Sequence, residues 1–244
     1  MTLDEALACL RAAGDPARAA EAAAYHKAPR IYLGVSVPVI TDMAKGWRAG
    51  LSVEDRVRLA AGLWDSDIHE AKVAAAKLLT QARLRPDDGA WALIAGWAPG
   101  FDGWAVADHA CDAGARRLVA DPSRLDLVEG WTTHPNKWTR RAALVITLPW
   151  TKLPFPKPAD EAIRDRVLGW AAGYVADPDW FIQKAVAWWL RDLSKHAPDR
   201  SRAFLAAHGA RMKPFARAEA ARHLPRDATF GDLPPPAPGI TSDA

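Results

Sequence analysis

The spacing of hydrophobic residues along this chain is that of α-helices. Apolar side chains recur every three or four positions, Ala is abundant, and no stretch of the sequence shows the alternation of a β-strand. Gly, Pro, Asp and Asn separate the periodic segments, and Asp or Ser often precedes the next segment, as helix capping requires. The pattern predicts an all-α protein with helices over residues 3–13, 16–28, 37–48, 52–64, 68–83, 90–97, 102–119, 124–131, 136–149, 160–175, 180–196, 201–208 and 214–223.

A repeat runs through these thirteen predicted helices. An aromatic residue followed by small and cationic residues stands near the start of four of them, at Trp104, Trp138, Phe181 and Phe215. The intervals are 34, 43 and 34 residues, and a weaker copy begins at His69. These periods are typical of HEAT and armadillo repeats, in which helical hairpins stack on one another. We therefore expect a curved solenoid with a basic concave face, lined by the second helix of each pair.

The C-terminal segment differs in composition from the repeat region. Residues 1–225 carry the helical pattern and are expected to form a single domain, with a Pro-rich loop at residues 151–159. Residues 226–244 contain a run of prolines followed by small and polar residues, which is typical of a loosely ordered tail.

Neither a membrane span nor a secretory signal is predicted. No apolar run approaches the roughly 18 residues of a membrane span, and the amphipathic N-terminal segment has acidic residues near its start. The two cysteines, Cys9 and Cys111, are far apart and show no metal-ligand spacing. These features favour a reduced, cytoplasmic compartment.

Composition adds an excess of tryptophan and an uneven distribution of charge. There are 12 Trp beside 3 Tyr and 6 Phe, and 22 Arg beside 10 Lys. The net charge of +3 divides into −2 for residues 1–122 and +5 for residues 123–244, while residues 137–222 alone carry +8. A basic region of this kind indicates an anionic partner, although a solvated charged face gives the same count.

The common catalytic motifs are missing from the sequence. It contains no P-loop, GxGxxG, HExxH or GxSxG. The segment from Asp108 to Asp112 holds metal-binding side chains, but on a helix His109 and Cys111 point away from the face that the two carboxylates share. We therefore predict that the protein has no metal site.

Two pairs of residues combine an aromatic ring with a charge on one helix face. Trp104 precedes Asp108 by four positions, and Trp138 precedes Arg141 by three. Each pair also has a purely structural interpretation. Trp104 and Asp108 would be a repeat anchor beside an interhelical salt bridge, and Trp138 and Arg141 would lie on a charged ridge of the solenoid.

The adjacent tryptophans Trp188 and Trp189 add a third feature. Neighbouring helix positions diverge by about 100 degrees, so one ring faces outwards unless another helix covers it. Arginine binds phosphates, exposed Trp faces attract cations, and a carboxylate stabilises developing positive charge. Taken together, these residues favour binding of a nucleic acid with a cationic lesion over a protein-interaction scaffold.

Four segments match, in order, those of a known family. They are Tyr25-His26-Lys27 through Tyr32-Leu33-Gly34-Val35, Trp104-Ala105-Val106-Ala107-Asp108, Lys137-Trp138-Thr139-Arg140-Arg141-Ala142-Ala143, and the most specific one, Phe181-Ile182-Gln183-Lys184-Ala185-Val186-Ala187-Trp188-Trp189-Leu190-Arg191. From about residue 18 to residue 224 the chain resembles the HEAT-like DNA alkylation repair glycosylases of the AlkD type.

This resemblance implies an enzyme that hydrolyses the N-glycosidic bond of cationic N-alkylated purines, such as 3-methyladenine and 7-methylguanine. It implies action on double-stranded DNA without base flipping, and neither a metal nor an organic cofactor. A DNA-binding solenoid of this size is expected to work as a monomer in the cytoplasm, associated with the bacterial nucleoid when bound to DNA.

The resemblance also assigns roles to individual residues. Trp104, Asp108 and Trp188 match the family's catalytic set, Arg141 matches an arginine that contacts the DNA backbone, and Tyr25 matches an aromatic residue near the lesion. Charge and helix position add further expected DNA contacts at Lys137, Arg140, Lys184 and Arg191.

The chain departs from the family pattern at Gly103, where relatives can carry a further aromatic residue. A related branch of the family binds structured or branched DNA without evident base excision, so the scaffold alone does not imply chemistry. Besides the glycosylase, the sequence therefore leaves open a non-catalytic DNA binder and a protein-interaction scaffold.

Overall fold

The helices begin and end close to the positions that the hydrophobic pattern predicts. The computed structural model describes residues 1–225, so the predicted Pro-rich tail at residues 226–244 lies outside the described residues. Residues 1–225 form thirteen α-helices and four short 3-10 turns, which confirms the all-α prediction. They contain no β-strand, and one parallel bridge joins Ile31 to Ile68. The chain divides into two compact units, with the boundary after Pro122.

The first unit consists of helices α1 (Leu3–Ala12), α2 (Pro16–His26), α3 (Val37–Ala49), α4 (Val53–Asp65), α5 (His69–Leu79), α6 (Asp88–Trp97) and α7 (Trp104–Ala120). Thr2, Asp15 and Ser52 accept hydrogen bonds from backbone N–H groups in the first turns of α1, α2 and α4. Such caps fix where a helix begins. The Ala-rich helix α5 lies at the centre of the unit, packed against α3, α4 and α7.

The core of the first unit is completed by stacked aromatic rings and a buried arginine. The rings of Trp64 and Trp97 are parallel, with centroids 4.0 Å apart. Arg117 on α7 is fully buried and donates hydrogen bonds to the carbonyl oxygens of Gln81 and Leu84, at 2.5 and 3.2 Å. This side chain therefore fixes the connection between α5 and α6.

The connection between α2 and α3 is held by the buried carboxylate of Glu70. Its two oxygens accept hydrogen bonds from the backbone N–H groups of Leu33 (2.9 Å) and Gly34 (2.7 Å). Gly34 has a φ of +79°, and a Cβ at this position would lie 2.2 Å from the carbonyl oxygen of Asp15. Only glycine fits this close approach, which sets the path of the chain towards the start of α5.

The second unit consists of helices α8 (Leu125–Trp131), α9 (Lys137–Val145), α10 (Pro158–Tyr174), α11 (Trp180–Ser194), α12 (Pro198–His208) and α13 (Pro214–Ala220). Asn136 and Asp179 cap α9 and α11 through their side chains. Trp189 on α11 is fully buried, and its indole Nε1 donates a hydrogen bond to the hydroxyl of Thr147 at 3.2 Å. Of the two adjacent tryptophans, Trp189 is therefore the core residue.

The Pro-rich loop of the second unit is anchored by a buried arginine on α10. Arg164 donates hydrogen bonds from Nε to the carbonyl oxygen of Trp150 (2.9 Å) and from Nη2 to that of Leu153 (2.7 Å). The start of the loop is thus held against α10, whereas Phe155 further along is 93% exposed.

The predicted repeat is visible in both units. Trp104 is the first residue of α7, while Trp138, Phe181 and Phe215 are the second residues of α9, α11 and α13. Helix α5 packs on α7 in the first unit; α9 packs on α11, and α11 on α13, in the second. These contacts confirm the helical-repeat architecture. The curvature, the basic concave face and the single domain over residues 1–225 stay predictions.

Candidate functional site

Trp104 and Asp108 lie on the first two turns of α7. The helix begins after Gly103, which has an extended backbone (φ −170°) and provides no side chain to cap the first turn. Trp104 and Asp108 are both half-buried, so each side chain is partly open to solvent. Because they are four residues apart on one helix, the ring and the carboxylate share a face, as their spacing predicts.

The ring of Trp104 belongs to an aromatic cluster at the end of α2. The ring of Tyr25 meets it edge-on, with centroids 6.0 Å apart and an interplanar angle of 88°. The ring of His26 lies 5.6 Å from it and is tilted by 55°. Tyr25 is 50% exposed. The structure therefore brings together two of the residues named from the sequence, Tyr25 and Trp104, at a surface that solvent reaches.

A second histidine and a tyrosine extend this cluster. The ring of His69 stacks between those of His26 and Tyr32, with centroid distances of 4.7 and 4.9 Å. Burial, followed by the positive charges that His26, Arg30 and His109 can carry, lowers the pKa of His69 to about 3. Burial, followed by the charge of Arg30, also lowers the pKa of His26. Both imidazoles are therefore neutral at pH 7.

A buried arginine completes the cluster. The side chain of Arg30 is 1% exposed, and its Nη2 atom forms an ion pair with Asp102. Among residues 1–225, neither Nε nor Nη1 of Arg30 has a hydrogen-bond partner, and the same holds for Nδ1 of His69. These side chains line a cleft whose other wall is the first turn of α7. The walls of the cleft are formed by His26, Ala28, Arg30, Tyr32, His69, Gly103, Trp104, Ala105 and Val106.

The sequence analysis did not single out Arg30 or His69. The signal for His69 was present, since it opens the weaker copy of the repeat and takes the place that Trp104 has in the next copy. Because α5 packs on α7, equivalent positions on the two helices lie side by side. Nothing comparable marks Arg30, whose burial depends on how the loop between α2 and α3 folds.

The neighbouring histidine of α7 does not join Asp108 in a metal site. His109 is largely buried, and burial, followed by the charge of Lys77, lowers its pKa to about 4. Within residues 1–225 no three His, Cys, Asp or Glu side chains are grouped as metal ligands. No helix in the same range is both long and apolar enough to cross a membrane.

Trp188 and Arg141 belong to the second unit. Trp188 is half-buried on α11, and its indole Nε1 donates a hydrogen bond to Asp192 at 3.1 Å, which fixes the orientation of the ring. Arg141 on α9 is only 4% exposed. The catalytic role of Trp188 and the phosphate contact of Arg141 stay predictions.

The four cations expected to support DNA binding have partners within the second unit. Lys137 binds Asp179 (2.9 Å), and Arg140 donates to Asp177 (3.3 Å) and to two backbone carbonyls. Arg191 forms ion pairs with Asp192 and Glu219. The ammonium group of Lys184 lies 4.8 Å from the ring centroid of Trp180. Three of these four cations are therefore already paired with carboxylates inside the unit.

Gln183, in the most specific of the four matching segments, has a structural role. It is fully buried, and its amide nitrogen donates to the carbonyl oxygens of Val175 (2.8 Å) and Tyr174 (3.1 Å). Its Oε1 accepts a hydrogen bond from the backbone N–H of Lys213 at 3.1 Å. The side chain thus joins the turn before α11 to the start of α13.

Solved structures with the same fold include proteins from two bacteria. A predicted DNA alkylation repair enzyme from Enterococcus faecalis has a TM-score of 0.74 and 19% identity over 88% of this chain and 98% of its own. AlkD2 from Streptococcus mutans has a TM-score of 0.58 and 19% identity, over 78% of this chain and 91% of its own. The protein smu.31 from Streptococcus mutans UA159 has a TM-score of 0.60 and 20% identity, over 78% of this chain and 93% of its own. At these identities the likeness establishes the fold alone.

No curated protein matches the sequence. A sequence model of the family described as DNA alkylation repair enzyme, in contrast, matches residues 6–224, which is most of the chain and includes both units. The chain therefore belongs to the DNA alkylation repair enzyme family.

Proposed function

We propose that this protein is a monofunctional DNA glycosylase that removes cationic N-alkylated purines, such as 3-methyladenine and 7-methylguanine, from duplex DNA without flipping the base. The observation that carries the proposal is the open surface formed by the rings of Tyr25 and Trp104, with the carboxylate of Asp108 one turn away on the same helix face. Membership of a DNA alkylation repair family supports this assignment.

The proposed reaction is hydrolysis of the bond between C1′ of the deoxyribose and the purine nitrogen. The alkylated purine already carries a positive charge, so it takes the bonding electron pair and leaves as a neutral base without a general acid. The sugar becomes cationic, water adds to C1′, and the proton that water loses passes to solvent or to a carboxylate. The protein's task is to stabilise the cationic sugar and to orient the water, as carboxylates do in glycosidases.

Asp108 is the residue proposed for that task. Its negative charge complements the charge that develops on the sugar, and a carboxylate oxygen at this position would orient the attacking water. The face of Trp104 would hold the electron-poor sugar through CH–π and cation–π contacts, and Trp188 of the second unit is proposed as a further catalytic aromatic residue. Water attack while the base remains stacked does not need a deep base pocket, unlike the extrusion that most glycosylases use.

Binding of DNA is assigned to the basic residues of the second unit. Arg141, Lys137, Arg140, Lys184 and Arg191 are proposed to contact phosphates, which would make affinity fall as salt rises. Several of these cations would then exchange a carboxylate partner for a phosphate, since Lys137, Arg140 and Arg191 are ion-paired in the structure.

The test is release of 7-methylguanine from duplex DNA by wild-type protein and by Asp108→Asn, measured beside a binding curve. We expect the substitution to slow release by about 100-fold or more, as loss of one electrostatic group in an active site does, while affinity changes little. Asp112→Asn is the matched control, because Asp112 is an exposed carboxylate one turn further along α7. DNA binding without base release would contradict the proposal and identify a non-catalytic binder.

A further inference from the structure

The cleft at the start of α7 contains more hydrogen-bond donors than the protein itself uses. Its walls carry the guanidinium of Arg30, the imidazoles of His26 and His69, and the first residues of α7. The proposed glycosylase reaction requires only Tyr25, Trp104 and Asp108 from this region. The remaining donors are therefore candidates for binding a separate ligand group.

Arg30 is the clearest of these groups. Its side chain is 1% exposed, yet Nε and Nη1 have no hydrogen-bond partner among residues 1–225. Asp102 engages only Nη2 and is itself 45% exposed. A buried donor without an acceptor is costly, so an acceptor entering the cleft would recover that free energy.

The first turn of α7 faces the same cleft. Gly103 provides no side-chain cap, so the N–H groups of Trp104, Ala105 and Val106 receive no capping oxygen from it. Free N–H groups and the helix dipole make such a turn favourable for an anion. Helix α7 has 17 residues, long enough for its dipole to contribute.

Arg30 is the cation of the cleft at pH 7, because the lowered pKa values of His26 and His69 leave both imidazoles neutral. The pKa of His69 is lowered to about 3 by burial and by three groups that can carry positive charge, His26, Arg30 and His109. The nearby carboxylate of Glu70 is occupied on both oxygens by the N–H groups of Leu33 and Gly34. A neutral imidazole can also donate one N–H to an anion.

From this geometry we infer that the cleft binds a phosphate group, held by Arg30 and the first turn of α7. The inference rests on the proposed function, in which the phosphate is a phosphodiester of the DNA backbone next to the nucleotide that Trp104 contacts. This site would give the first unit a phosphate contact of its own, independent of the basic residues of the second unit. Inorganic phosphate has the same chemistry and serves as the probe.

The first experiment is an NMR titration of the ¹⁵N-labelled full chain with inorganic phosphate at constant ionic strength. We expect saturable shifts of the Trp104, Ala105 and Val106 amides and of Nε of Arg30. Shifts that stay linear with phosphate concentration, or that spread evenly over the surface, would overturn the inference.

Two substitutions, each with a matched control, localise the effect. Arg30→Gln removes the guanidinium, and Arg58→Gln removes an exposed arginine of the same unit. Gly103→Asp places a carboxylate in the cleft, and Gly89→Asp adds the same charge at the start of α6. We expect Arg30→Gln and Gly103→Asp to weaken phosphate binding about tenfold or more, because charge-assisted hydrogen bonds are lost, and the controls to bind as wild type does.

Gly103→Asp keeps the inference testable even if Arg30→Gln does not fold. A Cβ at Gly103 would meet no atom within 4 Å, its φ of −170° suits any residue, and Asp is a favoured N-cap. Wild-type phosphate affinity in folded Gly103→Asp would overturn the inference.

A third experiment distinguishes the DNA backbone from free phosphate. A duplex with a tetrahydrofuran abasic site is prepared with one phosphodiester at a time replaced by a neutral methylphosphonate. We expect one position near the site to weaken binding of the wild type about tenfold and to have little effect on Gly103→Asp, since that contact is already lost. If no position separates the two proteins, the assignment to the DNA backbone is wrong. Base release without phosphate binding would refute this inference alone, and phosphate binding without base release would refute the proposed function alone.

Discussion

Cations of both units are paired with carboxylates, but the cation of the first unit's cleft also keeps buried donors without an acceptor. In the second unit, which carries most of the positive charge, Lys137, Arg140 and Arg191 are each paired with a carboxylate, and α9 and α11 have side-chain caps. In the first unit, whose net charge is negative, Arg30 and the first turn of α7 retain donors without acceptors. The net charge of a region is therefore a poor guide to where a ligand binds, because cations that are paired within the protein have fewer hydrogen-bond donors left for a ligand.

The aromatic residues show the same contrast. In the second unit the rings of Trp138, Phe181, Trp180 and Phe215 contact one another in series, with centroid distances between 4.6 and 5.6 Å. Trp104, the equivalent residue of the first unit, contacts Tyr25 and His26 at the edge of a cleft. One repeat position thus provides packing in one unit and a candidate site in the other.

The largest effect that we expect is on folding of the first unit. Gly34→Ala would place a Cβ 2.2 Å from the carbonyl oxygen of Asp15 at a φ of +79°, so the backbone itself must move. We predict a loss of about 3–5 kcal/mol in the free energy of unfolding, measured by urea denaturation. Gly46→Ala is the control, since a Cβ there meets no atom within 4 Å and α3 should be slightly stabilised. Equal stability of the two variants would show that the loop adopts another path.

The next effect separates the two aromatic positions. Trp104→Ala should slow release of 7-methylguanine by about 100-fold, because the ring proposed to contact the sugar is lost. Trp138→Ala should lower stability by about 1–2 kcal/mol, because a half-buried ring loses its contact with Phe181, while release by the folded protein changes by less than about tenfold. Single-turnover release and thermal unfolding of both variants provide the comparison. A similar loss of release in both would show that Trp104 acts as another packing ring.

The sequence was sufficient to predict the helices and part of the site. Helix periodicity and capping are local, so all thirteen helices lie close to their predicted ranges. The pair Trp104 and Asp108 follows from spacing within one helix, and Tyr25 was named because it matched a family segment.

Residues whose role depends on three-dimensional packing could not be found in this way. Glu70 and Gln183 act through contacts with backbone groups of other segments, and Arg30 pairs with a carboxylate 72 residues away, which no spacing rule encodes. The pairing of the second unit's cations was equally hidden, because the partner carboxylates lie 28 to 42 residues away in the cases of Arg191 and Lys137. The number of these charges can be read from the sequence, but which of them are paired cannot.

A smaller effect concerns the dependence of stability on pH. The folded-state pKa of His69 is about 3, below its ordinary value of 6.5, so the unfolded chain binds a proton that the folded chain does not. Stability is therefore fully present above pH 6.5 and is lost as the pH falls towards 3, by about 2 kcal/mol between pH 6.5 and pH 5. His69→Phe keeps an aromatic ring against His26 and Tyr32 but does not titrate. Urea unfolding at the two pH values should show a smaller loss in this variant, and an equal loss would assign the dependence to other groups.

The smallest effect tests whether pairing within the second unit limits binding to DNA. Each phosphate that a protein neutralises adds about 0.9 to the slope of log affinity against log salt concentration. Arg140 already donates to Asp177 and to the carbonyl oxygens of His134 and Pro135, so a phosphate must compete with three acceptors. We therefore expect Arg140→Ala to leave the slope almost unchanged, whereas the loss of one full phosphate contact would reduce it by about 0.9. The measurement is the affinity for a 7-methylguanine duplex between about 50 and 200 mM salt. A full loss of one contact in Arg140→Ala would show that DNA displaces the internal partners, and the contrast between the two units would then hold only for the unbound protein.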